Sequence, residues 1–185
     1  GVSGQLRIIG GEWRGRRLRV ATAAGLRPTA DRNRETLFNW LQSDVCRARV
    51  LDLFAGTGAL GLEALSRGAR AATFVERSRP VARTLRDLVD QLEAGNRARV
   101  VNADARQYLR GEVMAFDLVF LDPPFSSDLL ADSLGRLCQG GWLAPGAQVY
   151  IESRDRRRPP LDPAIWDCER EKTAGEVWFA LLRRL

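Results

Sequence analysis

The stretch Val50-Leu-Asp-Leu-Phe-Ala-Gly-Thr-Gly-Ala-Leu-Gly61 decides the fold. Its first half is a short apolar run that contains one acid, Asp52, and such a run is typical of a buried strand in a parallel sheet. Its second half spaces Gly56, Gly58 and Gly61 as Gly-x-Gly-x-x-Gly and leads into a helical pattern. Glycines let a ligand approach the backbone closely, and N–H groups at a helix start face that ligand. The stretch therefore predicts a nucleotide-type site, with tight packing alone as the alternative.

Length and composition indicate one globular domain with a substantial core. The chain has 185 residues, of which 45% are apolar and 28% charged. It has neither a membrane-spanning apolar run of roughly 18 residues nor a recognisable signal segment, so we expect a cytoplasmic protein. Its three cysteines lie far apart, which favours reduced thiols. The lack of histidine excludes histidine-based nucleophile pairs and histidine metal clusters, and we expect no metal site.

A basic segment near the start of the chain predicts contact with nucleic acid. Residues 7–20 hold five arginines against one acid, Glu12, in a chain of net charge +6. Two short β runs separated by a glycine-containing turn predict a hairpin. Arginine binds phosphate and tryptophan stacks on bases. The candidate RNA contacts are Arg7, Trp13, Arg14, Arg16 and Arg17. A solvated hairpin that merely covers the domain is the alternative.

Two further predicted strands are followed by acids. A strand over Ala71–Val75 ends in Glu76, which follows Gly56 by 20 residues. At that spacing a dinucleotide-type fold places a carboxylate on ribose hydroxyls. After a third strand, Ala98–Val101, Asp104 either accepts from an adenine amino group or caps the next helix.

The most specific piece of the sequence is Asp122-Pro-Pro-Phe125, which directly follows a fourth predicted strand over Phe116–Leu121. Two successive prolines donate no N–H and fix φ, so this turn holds its carbonyls in a rigid frame. Asp122 adds a carboxylate where open α/β sheets bind ligands, and Phe125 adds a flat apolar face. Together they predict a pocket that binds an exocyclic amine and stacks a planar ring. A proline-stiffened turn without a ligand is the alternative.

The remaining segments complete an alternating α/β pattern. The predicted elements are a helix over Asp31–Gln42, a helix around residues 129–137, a strand over Gln148–Glu152, and β runs over Trp166–Glu171 and Glu176–Leu182. The arginines of residues 154–158 form a basic loop, which is either a second phosphate contact or simply solvated.

These motifs resemble those of a known enzyme class. Asp52-Leu-Phe-Ala-Gly-Thr-Gly58, Glu76, Asn102-Ala-Asp104 and Asp122-Pro-Pro-Phe125 resemble the ordered motifs of class I S-adenosylmethionine-dependent methyltransferases that methylate amino groups. The flanking segments Arg7-Ile-Ile-Gly-Gly-Glu-Trp-Arg-Gly-Arg-Arg17, Leu26-Arg-Pro-Thr29, Arg34-Glu-Thr-Leu-Phe-Asn-Trp-Leu41 and Gly58-Ala-Leu-Gly-Leu-Glu-Ala-Leu-Ser-Arg67 resemble the bacterial 16S ribosomal RNA guanine-N2 methyltransferases.

The resemblance implies a Rossmann-like α/β fold. Its sheet has seven strands, mostly parallel, with an antiparallel C-terminal hairpin, and an N-terminal basic β-hairpin precedes it. The chain is accordingly divided into an arm over residues 1–25 and a methyltransferase domain over residues 26–185.

The resemblance also implies the cofactor, the substrate and their contacts. The cofactor is S-adenosylmethionine, and the substrate is one guanine of 16S ribosomal RNA in the assembling or assembled small subunit, recognised together with ribosomal proteins by a monomer. The implied catalytic residues are Asp122, Pro123, Pro124 and Phe125. The implied cofactor contacts are Thr29, Arg32, Glu35, Asp52, Phe54, Ala55, Gly56, Gly58, Glu76, Arg77, Asp104, Ala105 and Asp122.

Four other functions explain part of the sequence. An N6-adenine methyltransferase acting on DNA or another RNA shares the logic of the Asp-Pro-Pro-aromatic turn. A protein-glutamine methyltransferase usually has asparagine where this chain has Asp122. A nicotinamide oxidoreductase explains the glycines and Glu76 but not the two prolines. A non-catalytic RNA-binding module explains only the charge.

Overall fold

The structure, a computed structural model, describes residues 4–22, 30–124 and 127–185. Its strands are β1 (Gly4–Arg7), β2 (Arg17–Val20), β3 (Arg49–Asp52), β4 (Ala71–Glu76), β5 (Ala98–Asn102), β6 (Phe116–Leu121), β7 (Leu143–Ser153), β8 (Trp166–Ala174) and β9 (Val177–Arg184). Its α-helices are α1 (Asp31–Leu41), α2 (Ala59–Ser66), α3 (Arg79–Gln91), α4 (Ala105–Tyr108) and α5 (Ser127–Leu137). Within those ranges, no helix has the length and apolar character needed to span a membrane.

Seven strands form one sheet in the order β5-β4-β3-β6-β7-β9-β8. The pairs from β5 to β7 are parallel, whereas β9 runs antiparallel to both β7 and β8. The predicted fold class, a mostly parallel seven-stranded sheet with an antiparallel C-terminal hairpin, is therefore confirmed. The strand order reverses between β3 and β6, and open α/β sheets bind ligands at such a point.

The middle strands of the sheet are covered on both faces. In β6, Leu118 and Phe120 belong to one hydrophobic cluster, and Val119 and Leu121 belong to the other. All four side chains are almost completely buried. A continuous apolar run is expected of a parallel strand with helices on both sides, because neither face of that strand meets water.

Most predicted boundaries agree with the structure, and the largest difference concerns β7. The sequence predicts a strand over Gln148–Glu152, but β7 already begins at Leu143, which pairs with Phe116 before a shift in register. The residues before that shift, from Leu143 to Gly146, do not follow a simple apolar alternation. Because of the β-bulge, the first part of the strand cannot be predicted from apolar periodicity.

Strands β1 and β2 form the antiparallel hairpin predicted for the basic segment, with Leu6 opposite Leu18 and Arg7 opposite Arg17. Since side chains alternate along a strand, Leu6 and Leu18 face inward and are buried, while Arg7, Arg17 and Arg19 are exposed. The inward residues belong to the same hydrophobic cluster as helices α1 and α2. The hairpin is thus packed onto the core of the domain.

A buried carboxylate in α2 attaches this hairpin to the domain. Glu63 is fully buried and accepts hydrogen bonds from the N–H groups of Ile9 and Gly10, each at 2.9 Å. The Nε atom of Arg67 lies 2.8 Å from one of its oxygens, and the Nε atom of the buried Arg34 lies 3.6 Å from the other. A buried charge is tolerated only with such partners, so the loop after β1 is fixed to α2.

Substituting Gly61 tests how closely α2 packs on the sheet. A Cβ at this position would lie 2.3 Å from Cε1 of Phe74 in β4. We expect Gly61→Ala to lower the free energy of unfolding by about 1–3 kcal/mol, because the helix or the ring must move. Gly135→Ala is the matched control, since Gly135 lies in α5 with nothing within 4 Å, and it should be neutral or slightly stabilising. Urea unfolding measures both, and equal effects would contradict close packing at Gly61.

Candidate active site

Four acids lie at or just beyond the carboxyl ends of four neighbouring strands. Asp52 ends β3, Glu76 ends β4, Asp104 follows β5 and Asp122 follows β6. The four strands are parallel and adjacent in the order β5-β4-β3-β6. Their carboxyl ends therefore meet at one edge of the sheet, and the fold gathers acids that lie far apart in the sequence.

The glycine turn between β3 and α2 contains two residues with positive φ. Gly56 has a φ of 54° and Gly58 has a φ of 83°. A Cβ at Gly58 would also lie 2.4 Å from Cδ1 of Leu85. Glycine is therefore required there by conformation and by space, whereas Gly61 is required only by the packing of α2 on Phe74.

Four N–H groups of this turn have acceptors inside the protein. The pairs are Gly56 with Glu76 at 3.1 Å, Gly58 with the Ala55 carbonyl at 2.8 Å, Ala59 with the Thr57 hydroxyl at 3.3 Å, and Gly61 with Asp52 at 3.1 Å. The expectation of free N–H groups is therefore wrong at these positions. These four occupied donors are not available to a pyrophosphate, which disfavours a dinucleotide as the ligand.

Glu76 links the glycine turn to the segment that follows β4. Its Oε1 accepts from the N–H of Gly56 at 3.1 Å, and its Oε2 accepts from the N–H of Ser78 at 2.6 Å. The side-chain amide of Asn102, at the end of β5, donates to the carbonyls of Glu76 and Arg77. Each carboxylate oxygen can accept a second hydrogen bond, and Glu76 is partly exposed. Glu76 can therefore hold the turn and bind ligand hydroxyls together.

Asp52 lies beneath the turn. Its side chain is 3% exposed, and its Oδ2 accepts from the N–H of Gly61 in the first turns of α2. Burial raises the pKa of Asp52 to about 7; the hydrogen bond from Gly61 opposes this shift and the charge of Glu76 adds to it. This geometry gives Asp52 a supporting role, and its direct contact with a cofactor stays a prediction.

Asp104 caps the short helix α4. Its Oδ1 accepts from the N–H of Arg106 at 2.9 Å and lies 3.6 Å from the Nε atom of the same residue. The capping role considered from the sequence is thus confirmed. The side chain remains 37% exposed at the site edge, so an adenine contact is compatible with the cap.

The Asp122-Pro123-Pro124 turn is held by an arginine that directly follows β7. Oδ1 of Asp122 lies 3.7 Å from Nη2 of Arg154, and Nη1 of Arg154 donates to the Pro124 carbonyl at 3.3 Å. The Asp122 side chain is 11% exposed, and Pro123 is buried. Sequence reasoning missed this role, because nothing in the basic loop distinguished Arg154 from the arginines beside it.

The other predicted cofactor contacts have different surroundings. Phe54 and Ala55 lie in the glycine turn, Arg77 is exposed just after β4, and Ala105 is buried at the start of α4.

Two predicted contacts lie in α1. Arg32 and Glu35 are exposed on the first turns of α1. In the described part of the chain, neither donates to or accepts from the glycine turn. Thr29 and Phe125 lie outside the described residues. These four roles stay predictions.

The basic hairpin exposes its arginines but not its tryptophan. Arg7, Arg14, Arg16 and Arg17 are exposed, and none of them forms an ion pair within residues 4–22, 30–124 and 127–185. The expectation that Trp13 contributes to the surface is wrong, because its side chain is 5% exposed beneath the hairpin turn. Burial of its large apolar area stabilises that turn, which explains why an aromatic residue stands among arginines.

Comparisons with known proteins agree with this architecture. A family model described as conserved hypothetical protein 95 matches residues 6–183. Ribosomal RNA small subunit methyltransferase D of Escherichia coli K12 is 50% identical over 98% of this chain and 91% of its own length. The chain belongs to the small-subunit ribosomal RNA methyltransferase D family. The Haemophilus influenzae relative of that name is 42% identical over 97% of this chain and 94% of its own.

Solved structures support the family's fold for this chain. An Escherichia coli structure assigned as methyltransferase yhhF has a TM-score of 0.91 and 48% identity, covering 98% of each chain. An RNA methyltransferase from Salinibacter ruber in complex with S-adenosyl-L-homocysteine has the same fold, with a TM-score of 0.66, 15% identity, and coverage of 85% of this chain and 94% of its own. The predicted family and the prediction of a methyltransferase are thus confirmed, and S-adenosylmethionine is the methyl donor that family membership calls for.

Asp52 should make stability depend on pH in a defined direction. With a pKa of about 7 in the fold and an ordinary value when unfolded, the folded state holds the proton more tightly. Wild-type stability should therefore fall as pH rises from about 4 to 7, by up to about 1.4 kcal/mol per pKa unit of difference. An asparagine side chain lacks this titration but can still accept from Gly61, so Asp52→Asn should gain stability relative to wild type over that window and level off above it.

Asp117→Asn is the matched control for this measurement. The exposed Asp117 also accepts a backbone N–H, from Arg49 at 2.9 Å. Urea unfolding at several pH values compares both variants with wild type, and the difference should change more between about pH 4 and 7 for Asp52→Asn than for Asp117→Asn. A difference that does not change with pH for Asp52→Asn would show that Asp52 is not a buried titrating group.

Proposed function

We propose that this protein transfers a methyl group from S-adenosylmethionine to the exocyclic N2 amine of one guanine in 16S ribosomal RNA of the small subunit. The observation that carries the proposal is the Asp122-Pro-Pro turn beside the glycine turn, at the reversal point of the sheet. Oxygen acceptors in a frame without N–H donors suit a substrate amine, which is itself a hydrogen-bond donor. Family membership supports a small-subunit ribosomal RNA as the substrate.

The residues around the glycine turn fit a cofactor that has a ribose and no phosphate. The N–H groups of Gly56, Gly58, Ala59 and Gly61 have acceptors inside the protein, while Glu76 retains acceptor capacity for ribose hydroxyls. The partly exposed carboxylate of Asp104 is proposed to accept from the adenine amino group. When bound, S-adenosylmethionine supplies an electrophilic methyl group on a positively charged sulfur. Thr29, Arg32 and Glu35 are proposed to lie near its methionine end.

Asp122 and the carbonyls that follow it are proposed to position the substrate amine. The target guanine must leave its base stack to enter the pocket, where Phe125 is proposed to stack on the ring. Hydrogen bonds from the amine to Asp122 and to the Pro123 carbonyl direct the nitrogen lone pair at the methyl group. The nitrogen gains the methyl group and loses one proton, which the Asp122 carboxylate accepts or passes to water.

The hairpin is proposed to bind the RNA backbone. Its outward face carries Arg7, Arg17 and Arg19, and its turn carries Arg14 and Arg16. Guanidinium groups without an internal ion pair are available to phosphates, and their binding should weaken as salt rises. Arg19 was not among the residues singled out from the sequence, but the alternation of β2 puts it beside Arg17.

Asp122→Ala tests the catalytic proposal. We expect methyl transfer to fall by roughly 10²- to 10⁴-fold, the usual contribution of a positioned base and acceptor. Cofactor affinity should stay within a few fold, because Glu76 and the glycine turn remain. The assay uses labelled S-adenosylmethionine with small subunits that lack the modification, followed by nucleoside analysis of the RNA.

Three outcomes of this assay are informative. Label in N2-methylguanosine supports the proposal, whereas label in N6-methyladenosine would replace the guanine by an adenine. Near-wild-type transfer by Asp122→Ala would remove Asp122 from the mechanism. The matched control is Asp117→Asn, which lies at the other end of β6 and should transfer methyl groups at the wild-type rate.

Replacing two hairpin arginines tests the RNA surface. Arg16→Gln combined with Arg17→Gln should weaken binding to small subunits several fold and reduce the salt dependence, by a slope of about 0.9 for each phosphate that is no longer neutralised. The charge-matched control replaces the exposed Arg170 and Lys172 by glutamine on β8, the sheet edge farthest from β5. Affinities at two salt concentrations distinguish the pairs. Equal reductions in affinity would indicate a general effect of net charge.

A further inference from the structure

Arg154 stands apart from the other arginines of the loop after β7. Its side chain is 23% exposed, whereas those of Arg157 and Arg158 are 83% and 51% exposed. Arg157 pairs with Asp155, and Arg158 pairs with Glu171. Arg154 instead points back to the end of β6 and contacts the Asp-Pro-Pro turn at two atoms.

The two contacts of Arg154 span the turn that is proposed to bind the amine. Nη2 faces the Asp122 carboxylate and Nη1 donates to the Pro124 carbonyl. A guanidinium is planar and rigid, so one hydrogen bond to the Pro124 carbonyl and one ion-pair contact with the Asp122 carboxylate, made by the same group, restrain the two relative to each other. The prolines restrain the backbone between these two points, and Arg154 restrains the Asp122 side chain and the Pro124 carbonyl.

A buried polar pair in β7 lies next to Asp122 and Arg154. Tyr150 donates from its hydroxyl to Oε2 of Glu152 at 2.7 Å, and both side chains are buried in β7. Phe120 pairs with Tyr150 and Leu121 with Ile151, so Asp122, which directly follows β6, comes at the level of Glu152 in β7. Burial raises the pKa of Glu152, while the charge of Arg154 opposes that shift. Arg154, which pairs with Asp122, therefore also acts electrostatically on Glu152.

We propose that Arg154 is a positioning residue for methyl transfer. By its contacts with the Asp122 carboxylate and the Pro124 carbonyl, it holds Asp122 and the Pro123 carbonyl between them in the geometry that receives the substrate amine, and it compensates the charge of Asp122 beside the buried Tyr150–Glu152 pair. The inference rests on the proposed function, since it assigns Arg154 to the same site. The solvated arginines that follow Arg154 in the loop have no part in this role.

The test compares Arg154→Gln and Arg154→Lys with the matched control Arg157→Gln, which removes the same charge from the exposed part of the same loop. We expect Arg154→Gln to lower kcat by roughly 10- to 100-fold, because a small displacement of a reacting group has an effect of that size. Arg154→Lys should be intermediate, since it restores the charge without the two-point contact. Cofactor Kd and KM for small subunits should change by less than about threefold, and thermal unfolding verifies that each variant is folded.

The outcomes separate this inference from the proposed function. Methyl transfer by wild type with a selective loss of kcat in Arg154→Gln and partial recovery in Arg154→Lys supports both. Equal kcat for Arg154→Gln and Arg157→Gln, or a loss confined to KM, overturns the positioning role and leaves the proposed function intact. No transfer by wild type to small-subunit RNA overturns the proposed function and this inference with it.

Discussion

The positions of the N-terminal hairpin and the glycine turn depend on one buried helix, α2, and on the carboxylate of Glu63 within it. Each residue of this helix is buried, so it has no solvated face and every polar group on it needs a protein partner. Its first residues complete the glycine turn, and Glu63 in its middle binds the hairpin backbone. At the end of the helix, Ser66 accepts from the N–H of Trp13 and donates to the Gly10 carbonyl. The cofactor side and the basic side of the molecule are therefore attached to the same short element.

The acids at the carboxyl ends of the strands hold the loops of this site in place through hydrogen bonds to the backbone. Asp52 fixes α2 from below, Glu76 ties the turn to the next segment, and Asp104 caps α4. Each carboxylate uses part of its acceptor capacity on backbone N–H groups, which orders the loops around the site. A site ordered in this way loses less conformational entropy on binding, so more of the interaction energy is left for affinity and orientation.

The parts of the fold that were predictable from sequence are those decided locally. An apolar run followed by glycine or proline identifies β3 and β6, and their parallel arrangement brings Asp52, Glu76 and Asp122 to one edge. Trp13 and Arg154 were not predictable, because their surroundings come from residues far away in the chain. An aromatic residue among arginines is equally compatible with an exposed stacking platform and with a buried anchor, and only the tertiary fold decides between them. The same applies to Glu63: the sequence does not distinguish it from an exposed helical glutamate, and only the tertiary fold shows that both sides of α2 are covered.

The shared attachment to α2 also limits how the substrate can be presented. A helix of eight residues is about 12 Å long and, when buried, moves as a unit with the core. If the hairpin binds RNA phosphates, then α2 sets the distance from that RNA to the glycine turn, because buried hydrogen bonds attach both the hairpin and the turn to this helix. A base within a helical stack cannot reach a fixed pocket by movement of the protein, so the movement must come from the nucleotide. Under the proposed function, this scaffold therefore assigns the conformational change to the RNA and leaves the geometry of the Asp122 turn undisturbed for the transfer.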